Sequence, residues 1–198
     1  MVTVRNSDSH FENPEPGSYP ATCYKIIDLG TQEGEYQGKT IKRRQVIIGW
    51  ELAEKMTNGD PFVASAFYTA SLSEKSKLRP MLESWRGSAF TPEELDGFDL
   101  GKLLGKSCLI SLVLNEKQKT KVGGASKMPK GLTGPVLINK IVHLDLDKFD
   151  QATFDGLSDK IKDMIKRSPE YALVGRPAYA VTSEEEPPEE ASGEEVLF

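Results

Sequence analysis

The sequence is poor in the residues that most often carry metal sites and covalent catalysis. Its 198 residues include only two cysteines, Cys23 and Cys108, and two histidines, His10 and His143. Neither pair has the spacing of a zinc site or supports a histidine-based triad, since His10 lies in a polar leader and His143 in a strand-like run. Both cysteines lie in apolar, strand-like runs, so we interpret them as reduced core residues.

Long apolar runs and phosphate-binding glycine motifs are also lacking. No run approaches the roughly 20 apolar residues of a membrane-spanning helix, and the polar start MVTVRNSDSHFENPEPG has no hydrophobic stretch typical of a signal peptide. Gly123 and Gly124 are not followed by the lysine and hydroxyl residue of a P-loop. These absences predict a soluble, intracellular protein that is not an enzyme and needs no cofactor and no metal.

Charge is unevenly distributed along the chain. Residues 183–198, SEEEPPEEASGEEVLF, hold seven glutamates and no lysine or arginine, and this composition predicts a disordered acidic tail with an apolar tip. The whole chain carries −5, but residues 17–182 hold 24 basic and 20 acidic residues, which gives +4. A basic body beside an anionic tail suggests that the body binds a polyanion and that the tail competes for the same surface.

Hydrophobic periodicity predicts three strands, then helices, then two more strands. The first three strands are expected at about Ser18–Leu29, Lys39–Leu52 and Phe62–Leu72, with a loop at Gly30–Gly38 and one buried face on the second strand. Strand signal resumes at Ser107–Leu114, crosses the polar loop Asn115–Lys119 and returns through about Thr120–Met128. The glycine pair in that last strand weakens it or lets a ligand or another backbone approach closely.

The segment between the third and fourth strands has helical period. An apolar face of Leu78, Met81, Leu82 and Trp85 predicts a helix that begins at the N-cap Ser76, contains Pro80 near its first turn and ends at Gly87. The sequence Thr91-Pro92-Glu93-Glu94 predicts a second helix with a capping box. A further strand is expected over Val136–Leu146, and an amphipathic helix from Phe154 to about Arg167.

This order of elements is that of the five-stranded OB-fold barrel, with its helix between strands three and four. We therefore predict a mainly β protein with an OB-fold barrel, an added carboxy-terminal strand and helix, and the disordered tail. The expected division is a polar leader at 1–16, the OB-fold domain at 17–167, a linker at 168–182 and the tail at 183–198.

In OB folds, the face of strands two and three and the loops between strands one and two and between four and five bind oligonucleotides. Both loop regions are basic here. Cations that follow phosphates and rings that stack on bases hold single strands. The predicted ssDNA-binding residues are Tyr36, Lys39, Lys42, Arg43, Arg44, Phe67, Tyr68, Lys117, Lys119 and Lys121. Phe67 and Tyr68 are adjacent on a strand, so at most one faces the ligand, while Trp50 is favoured as a core residue.

Two other functions remain open on the sequence alone. The barrel could bind a protein as an interaction adaptor whose tail only solubilises it. Asp145, Asp147 and Asp150 could hold magnesium in a nuclease, although their alternation with Leu144 and Leu146 favours a solvated strand face.

Several stretches resemble, in order and spacing, a family of bacteriophage single-stranded DNA-binding proteins with an OB fold. They lie between about Gly17 and Phe149 and read GSYPATCYKIIDLGTQ, KRRQVIIGWEL, YTASLSEKSKLRPMLESWRG, FTPEELDGFDLGKLLGKSC and KTKVGGASKMPKG. The end of the chain, EEVLF, is similar to the acidic tails with a terminal phenylalanine on such proteins, without their proline before the phenylalanine.

The resemblance implies a non-catalytic protein that coats ssDNA during phage replication, recombination and repair in the cytoplasm of a bacterial host. Its tail would recruit replication or recombination proteins, and self-association along DNA is a further expectation. The residues expected to bind these partners are Glu194, Glu195, Val196, Leu197 and Phe198.

Overall fold

The fold is built on a six-stranded sheet. The computed structural model describes residues 12–36 and 38–174, so the expected acidic tail lies outside the described residues. The strands are β1 Gly17–Tyr36, β2 Lys39–Lys55, β3 Pro61–Thr69, β4 Ser107–Leu114, β5 Thr120–Ser126 and β6 Val142–Leu144. Five of them form an antiparallel series in the order β3-β2-β1-β4-β5, and β6 pairs in parallel with β1 at Lys25–Ile27.

The prediction of a mainly β protein is confirmed, but the sheet is open rather than closed. β3 and β5 are its two edges, and no backbone pairing joins them in the described part of the chain. Short helices follow β3: α1 at Leu78–Arg86 and α2 at Pro92–Asp96, then a 3-10 turn at Leu100–Leu103. α1 lies against β5, where the Lys127 amide donates to the Ser84 carbonyl at 2.9 Å.

Helix ends follow their local sequence signals closely. Thr91 and Glu94 form the expected capping box, with Pro92 at the start of α2. Gly87 ends α1 in the left-handed conformation, with φ 73°. Helix α1 begins after Lys77, one residue later than predicted, although the Ser76 hydroxyl still accepts a hydrogen bond from the Leu78 amide at 3.1 Å.

Two apolar cores lie on opposite faces of the sheet. The first contains Trp50, Trp85 and both cysteines, and the second contains Ile27, Ile47 and residues of the carboxy-terminal helices. β2 therefore buries both of its faces in this region, whereas its alternation predicted only one. The cysteine prediction is confirmed within the described residues: both are free and buried, and burial raises the pKa of each thiol to about 12.

The first predicted loop is a hairpin arm instead. β1 continues through Tyr36 and β2 begins at Lys39, so the prediction of a loop over Gly30–Gly38 was wrong. Cross-strand pairs extend the ladder, and Gly38 supplies the positive φ of 73° that a tight turn needs. Gly30, also at positive φ, leaves no room for a Cβ beside the Ser168 side chain.

The elements of the carboxy-terminal half of the domain differ from those that hydrophobic periodicity predicted. Of the strand expected over Val136–Leu146, only β6 forms, because hydrogen bonds to side chains hold the segment before it. The single amphipathic helix is divided at Gly156, which follows α3 Gln151–Asp155, and α4 covers Asp159–Lys166. α5 Pro169–Leu173 occupies positions where the linker was expected to begin. The ring of Tyr171 in α5 stacks on that of Phe154, with 5.3 Å between the ring centroids.

Candidate functional site

A groove lies between the two edge strands of the sheet. Its larger part has a volume of about 810 Å³ and lies between β3, β5 and the first turns of α1. A second part of about 620 Å³ adjoins it towards the β3–α1 loop and shares Phe67, Tyr68 and Lys77 with it. We call the two parts together the β3–β5 groove. The volume of each part is in the range of ordinary ligand sites.

The lining of the β3–β5 groove is positive and contains no acidic side chain among the described residues. Its cations are Arg43, Lys75, Lys77 and Lys121. None of the four forms an ion pair with a described residue, so their charges are available to an anionic ligand. The hydroxyls that line it, which can also donate to anionic oxygens, are those of Ser65, Thr69, Ser71, Ser73, Ser76 and Ser84.

Register on β3 separates the two adjacent aromatic residues. Phe67 lies opposite Ile47 and is 55% exposed, so its ring is the accessible one. Tyr68 lies opposite Val46 and packs against the first core, where burial raises the pKa of its hydroxyl to about 12. Contact between an exposed phenyl ring and water is unfavourable, and a base stacked on the ring removes that contact. Phe67 is therefore the stronger candidate for stacking.

The glycine pair opens the groove on the β5 side. A bulge in the β4–β5 ladder lies at this pair, where Ser111 pairs with Gly124 and Leu112 with Val122. A Cβ on Gly124 would meet no heavy atom within 4 Å, so the space above it is empty. A flat ligand can therefore approach the β5 backbone here, which is one of the two roles that the sequence predicted for this pair.

The other predicted cations of β2 are engaged elsewhere. Arg44 forms an ion pair with the carboxylate of Asp28 and a second with that of Asp147 at 3.1 Å, and these contacts raise the pKa of its guanidinium. The exposed Lys42 ammonium is 2.9 Å from Glu33 across the β1–β2 arm. Only Arg43 of the three consecutive cations lines the groove.

The remaining predicted residues lie on two turns. Tyr36 and Lys39 face each other in the register at the tip of the β1–β2 arm, and Lys39 is exposed. Lys117 and Lys119 are exposed on the β4–β5 turn, where both backbone amides donate to the Asn115 side chain. Lys39, Lys117 and Lys119 do not line the groove.

Replacing Arg44 with alanine should reduce stability rather than ligand binding. The substitution leaves the Asp28 carboxylate, which is nearly buried, without its cation, and we expect a loss of about 2 kcal/mol in the free energy of unfolding. Urea unfolding measures this loss. Arg43→Ala is the matched control, since it has no ion-pair partner among the described residues; an equal loss in both variants would contradict the assignment.

The carboxylates considered for magnesium have structural roles. Asp145 and Asp150 accept backbone hydrogen bonds at the starts of a 3-10 turn (Leu146–Lys148) and of α3, while Asp147 pairs with Arg44. In the part of the chain that the structure describes, no three histidine, cysteine or acidic side chains are placed to hold a metal ion.

The β3–β5 groove is therefore the candidate binding site. No protein-family model, curated protein or solved structure matches this chain. Over residues 12–36 and 38–174, no helix is long and apolar enough to cross a membrane.

Two cations of the groove were not among the residues predicted from the sequence. Lys75 and Lys77 lie in the segment SEKSK, between the end of β3 and the start of α1. The sequence predicted cations in the two loops with which an OB fold binds its ligand, and this connection is not one of those loops. The sequence feature that indicates them is a pair of lysines among serines, shortly after the strand that carries Phe67 and Tyr68.

Proposed function

We propose that this protein binds single-stranded DNA without sequence preference in the β3–β5 groove. The observation that supports this proposal is the coincidence, in one groove, of four cations without ion-pair partners among the described residues and one exposed ring, Phe67. Single-strand binding uses this combination, because cations follow the phosphates while every base has a face that can stack.

The groove divides into a polar part and an apolar part. Arg43, Lys75 and the row of hydroxyls at the end of β3 suit phosphate oxygens. Phe67, Val113 and the glycine pair form a more apolar surface that suits bases. Lys77 and Lys121 lie along this larger, apolar part, so phosphates on either side of a stacked base would each be close to a cation.

We also propose that the sheet is an OB-type barrel that does not close. The order β3-β2-β1-β4-β5 becomes the order of an OB barrel once β3 and β5 are neighbours. These strands approach each other without pairing, and the groove occupies the gap. In this proposal the protein is not an enzyme. It coats ssDNA in phage replication, recombination and repair, and its tail recruits other replication proteins, as the resemblance implies.

The function is tested by titrating a fluorescently labelled oligo-dT with the protein and following anisotropy. Quenching of intrinsic tryptophan fluorescence is a poor readout, because Trp50 and Trp85 are both buried. We expect saturable binding of oligo-dT and of mixed-sequence ssDNA, with weaker binding of duplex. Binding of none of the three would contradict the proposal and favour the adaptor function, while equal affinity for duplex would contradict the choice of single strands.

Phe67→Ala should weaken oligo-dT binding by roughly 10-fold, because one base loses its stacking partner. The same anisotropy titration measures this loss, and Phe67→Trp should restore the affinity. Ile138→Ala is the matched control, since Ile138 is 61% exposed and lies outside the groove. Unchanged affinity of Phe67→Ala would exclude stacking at this position.

A further inference from the structure

A second, smaller pocket lies on the other side of α1. We call it the α1 pocket; its volume is about 360 Å³. The apolar side chains that line it are Leu82, Trp85, Phe90, Phe98, Leu103 and Met128. Phe90 and Phe98 meet edge to face at 5.2 Å, and the Trp85 indole donates to the Ser107 carbonyl at 3.0 Å, so the aromatic walls are held in place. The size suits one or two apolar side chains.

Cations surround the α1 pocket. Arg86, Lys106 and Lys127 line it, and no acidic residue does so within the described ranges. Arg86 already forms an ion pair with Glu94 at 2.8 Å, whereas Lys106 and Lys127 pair with no described residue. The pocket therefore suits a ligand with apolar side chains next to carboxylates, which is an acidic and apolar peptide.

The α1 pocket is separate from the β3–β5 groove. Met81 and Ser84 of α1 line the groove, while Leu82 and Trp85 line the pocket. The hydrogen bond from the Lys127 amide to the Ser84 carbonyl joins β5's end to α1 between them. No described residue lines both, so the two are distinct sites.

We propose that the α1 pocket binds the segment Glu194–Phe198 of the same chain. This segment, EEVLF, combines two carboxylates with three apolar side chains, and so matches both the rim and the walls of the pocket. Leu197 and Phe198 enter the pocket, while Glu194 and Glu195 approach Lys106 and Lys127. The charge balance of the sequence suggested that the tail competes for the polyanion surface; the pocket offers its tip a different site.

The connection is long enough. The described part of the chain ends at Val174, which leaves 19 residues, 175–193, before the segment. Nineteen residues can span up to roughly 60 Å. A compact domain of this size has a radius of gyration of roughly 15 Å, so the segment can reach any face of it. Docking would cover the apolar tip until a partner protein binds it.

A nitroxide spin label at Ser192→Cys tests the proposal in the full chain. The label should react at this position alone, because Cys23 and Cys108 are fully buried. We expect the amide signals of Leu103–Ser107 and Lys127 to lose the most intensity in the oxidised label relative to the reduced one, and more than those of Phe67 and Gly124 in the groove. The Trp85 indole signal should also broaden, and the amide of Gly34, twelve positions along β1 from the Thr22 that pairs with Ser107, serves as the internal reference.

Charge reversal at the rim supplies the specificity test. Lys106→Glu together with Lys127→Glu should abolish the intensity loss, whereas Lys140→Glu with Lys160→Glu should retain it. Broadening that is stronger in the groove than at the α1 pocket, or no localised broadening, would overturn the proposal. Equal broadening when label and nitrogen-15 are on different molecules would assign the segment to a second copy and overturn docking within one chain. Since oligo-dT affinity is measured separately, failure here leaves the proposed function standing.

Discussion

Replacing Arg43, Lys77 and Lys121 together with alanine is expected to lower the affinity for oligo-dT about 100-fold at 0.1 M salt. Each cation that contacts a phosphate releases a counterion, which contributes about 0.7 to the slope of log K against log salt for a single strand. Losing three such contacts should reduce the slope by about 2. The three residues come from β2, the β3–α1 loop and β5, and they share only the groove.

The matched control removes three exposed lysines that lie outside the groove, namely Lys55, Lys140 and Lys160. It makes the same change in net charge, so it separates local contacts from the general attraction between protein and DNA. The control should keep nearly the full salt slope. Equal losses in the two triple variants would mean that the groove holds no phosphates, and the assignment of these cations would be wrong.

Glu51→Leu is expected to lower the free energy of unfolding by about 3 kcal/mol. The Glu51 carboxylate is 1% exposed and accepts hydrogen bonds from the Ile138 and Asn139 amides at 2.9 and 2.8 Å, and from the Asn139 side chain at 2.7 Å. Leucine fills similar space but accepts none of them, and each partly buried donor left without an acceptor costs about 1–3 kcal/mol. Urea unfolding measures the change.

Two variants complete this test. Glu51→Gln keeps one acceptor oxygen and should recover part of the lost stability, while Glu54→Gln changes an exposed glutamate on the same strand and should have almost no effect. The segment that Glu51 holds lies outside the groove, so Glu51→Gln should bind oligo-dT with unchanged affinity. A loss for Glu51→Leu no larger than that for Glu54→Gln would show that the segment is held in another way.

Local signals predicted the elements whose ends depend on a few neighbouring residues. The capping box at Thr91, the left-handed stop at Gly87 and the strand pattern of β2 are all decided within one turn or one ladder. Elements that depend on distant contacts were less predictable. The segment before β6 forms no strand because Glu51, 87 positions from Ile138, binds its backbone, and no local pattern carries that information.

The site was predictable only in part, for a similar reason. Arg43 and Arg44 are neighbours in sequence, but they point to different surroundings: one lines the groove, and the other pairs with Asp28 and with Asp147, which lies 103 positions away. Phe67 and Tyr68 had to face opposite ways, yet only the packing of the first core decides which is exposed. Alternation fixes the division of faces, whereas tertiary contacts fix which face remains open.

The most direct test of the central claim is a titration of the nitrogen-15-labelled protein with a short oligo-dT, followed by amide shifts. Binding in the β3–β5 groove predicts that the largest changes fall on Arg43, Phe67, Lys77, Lys121 and Gly124, while the amides around the α1 pocket, such as Phe98 and Leu103, change little. Saturable binding whose largest shifts lie on another surface, with the groove amides unmoved, would contradict the account.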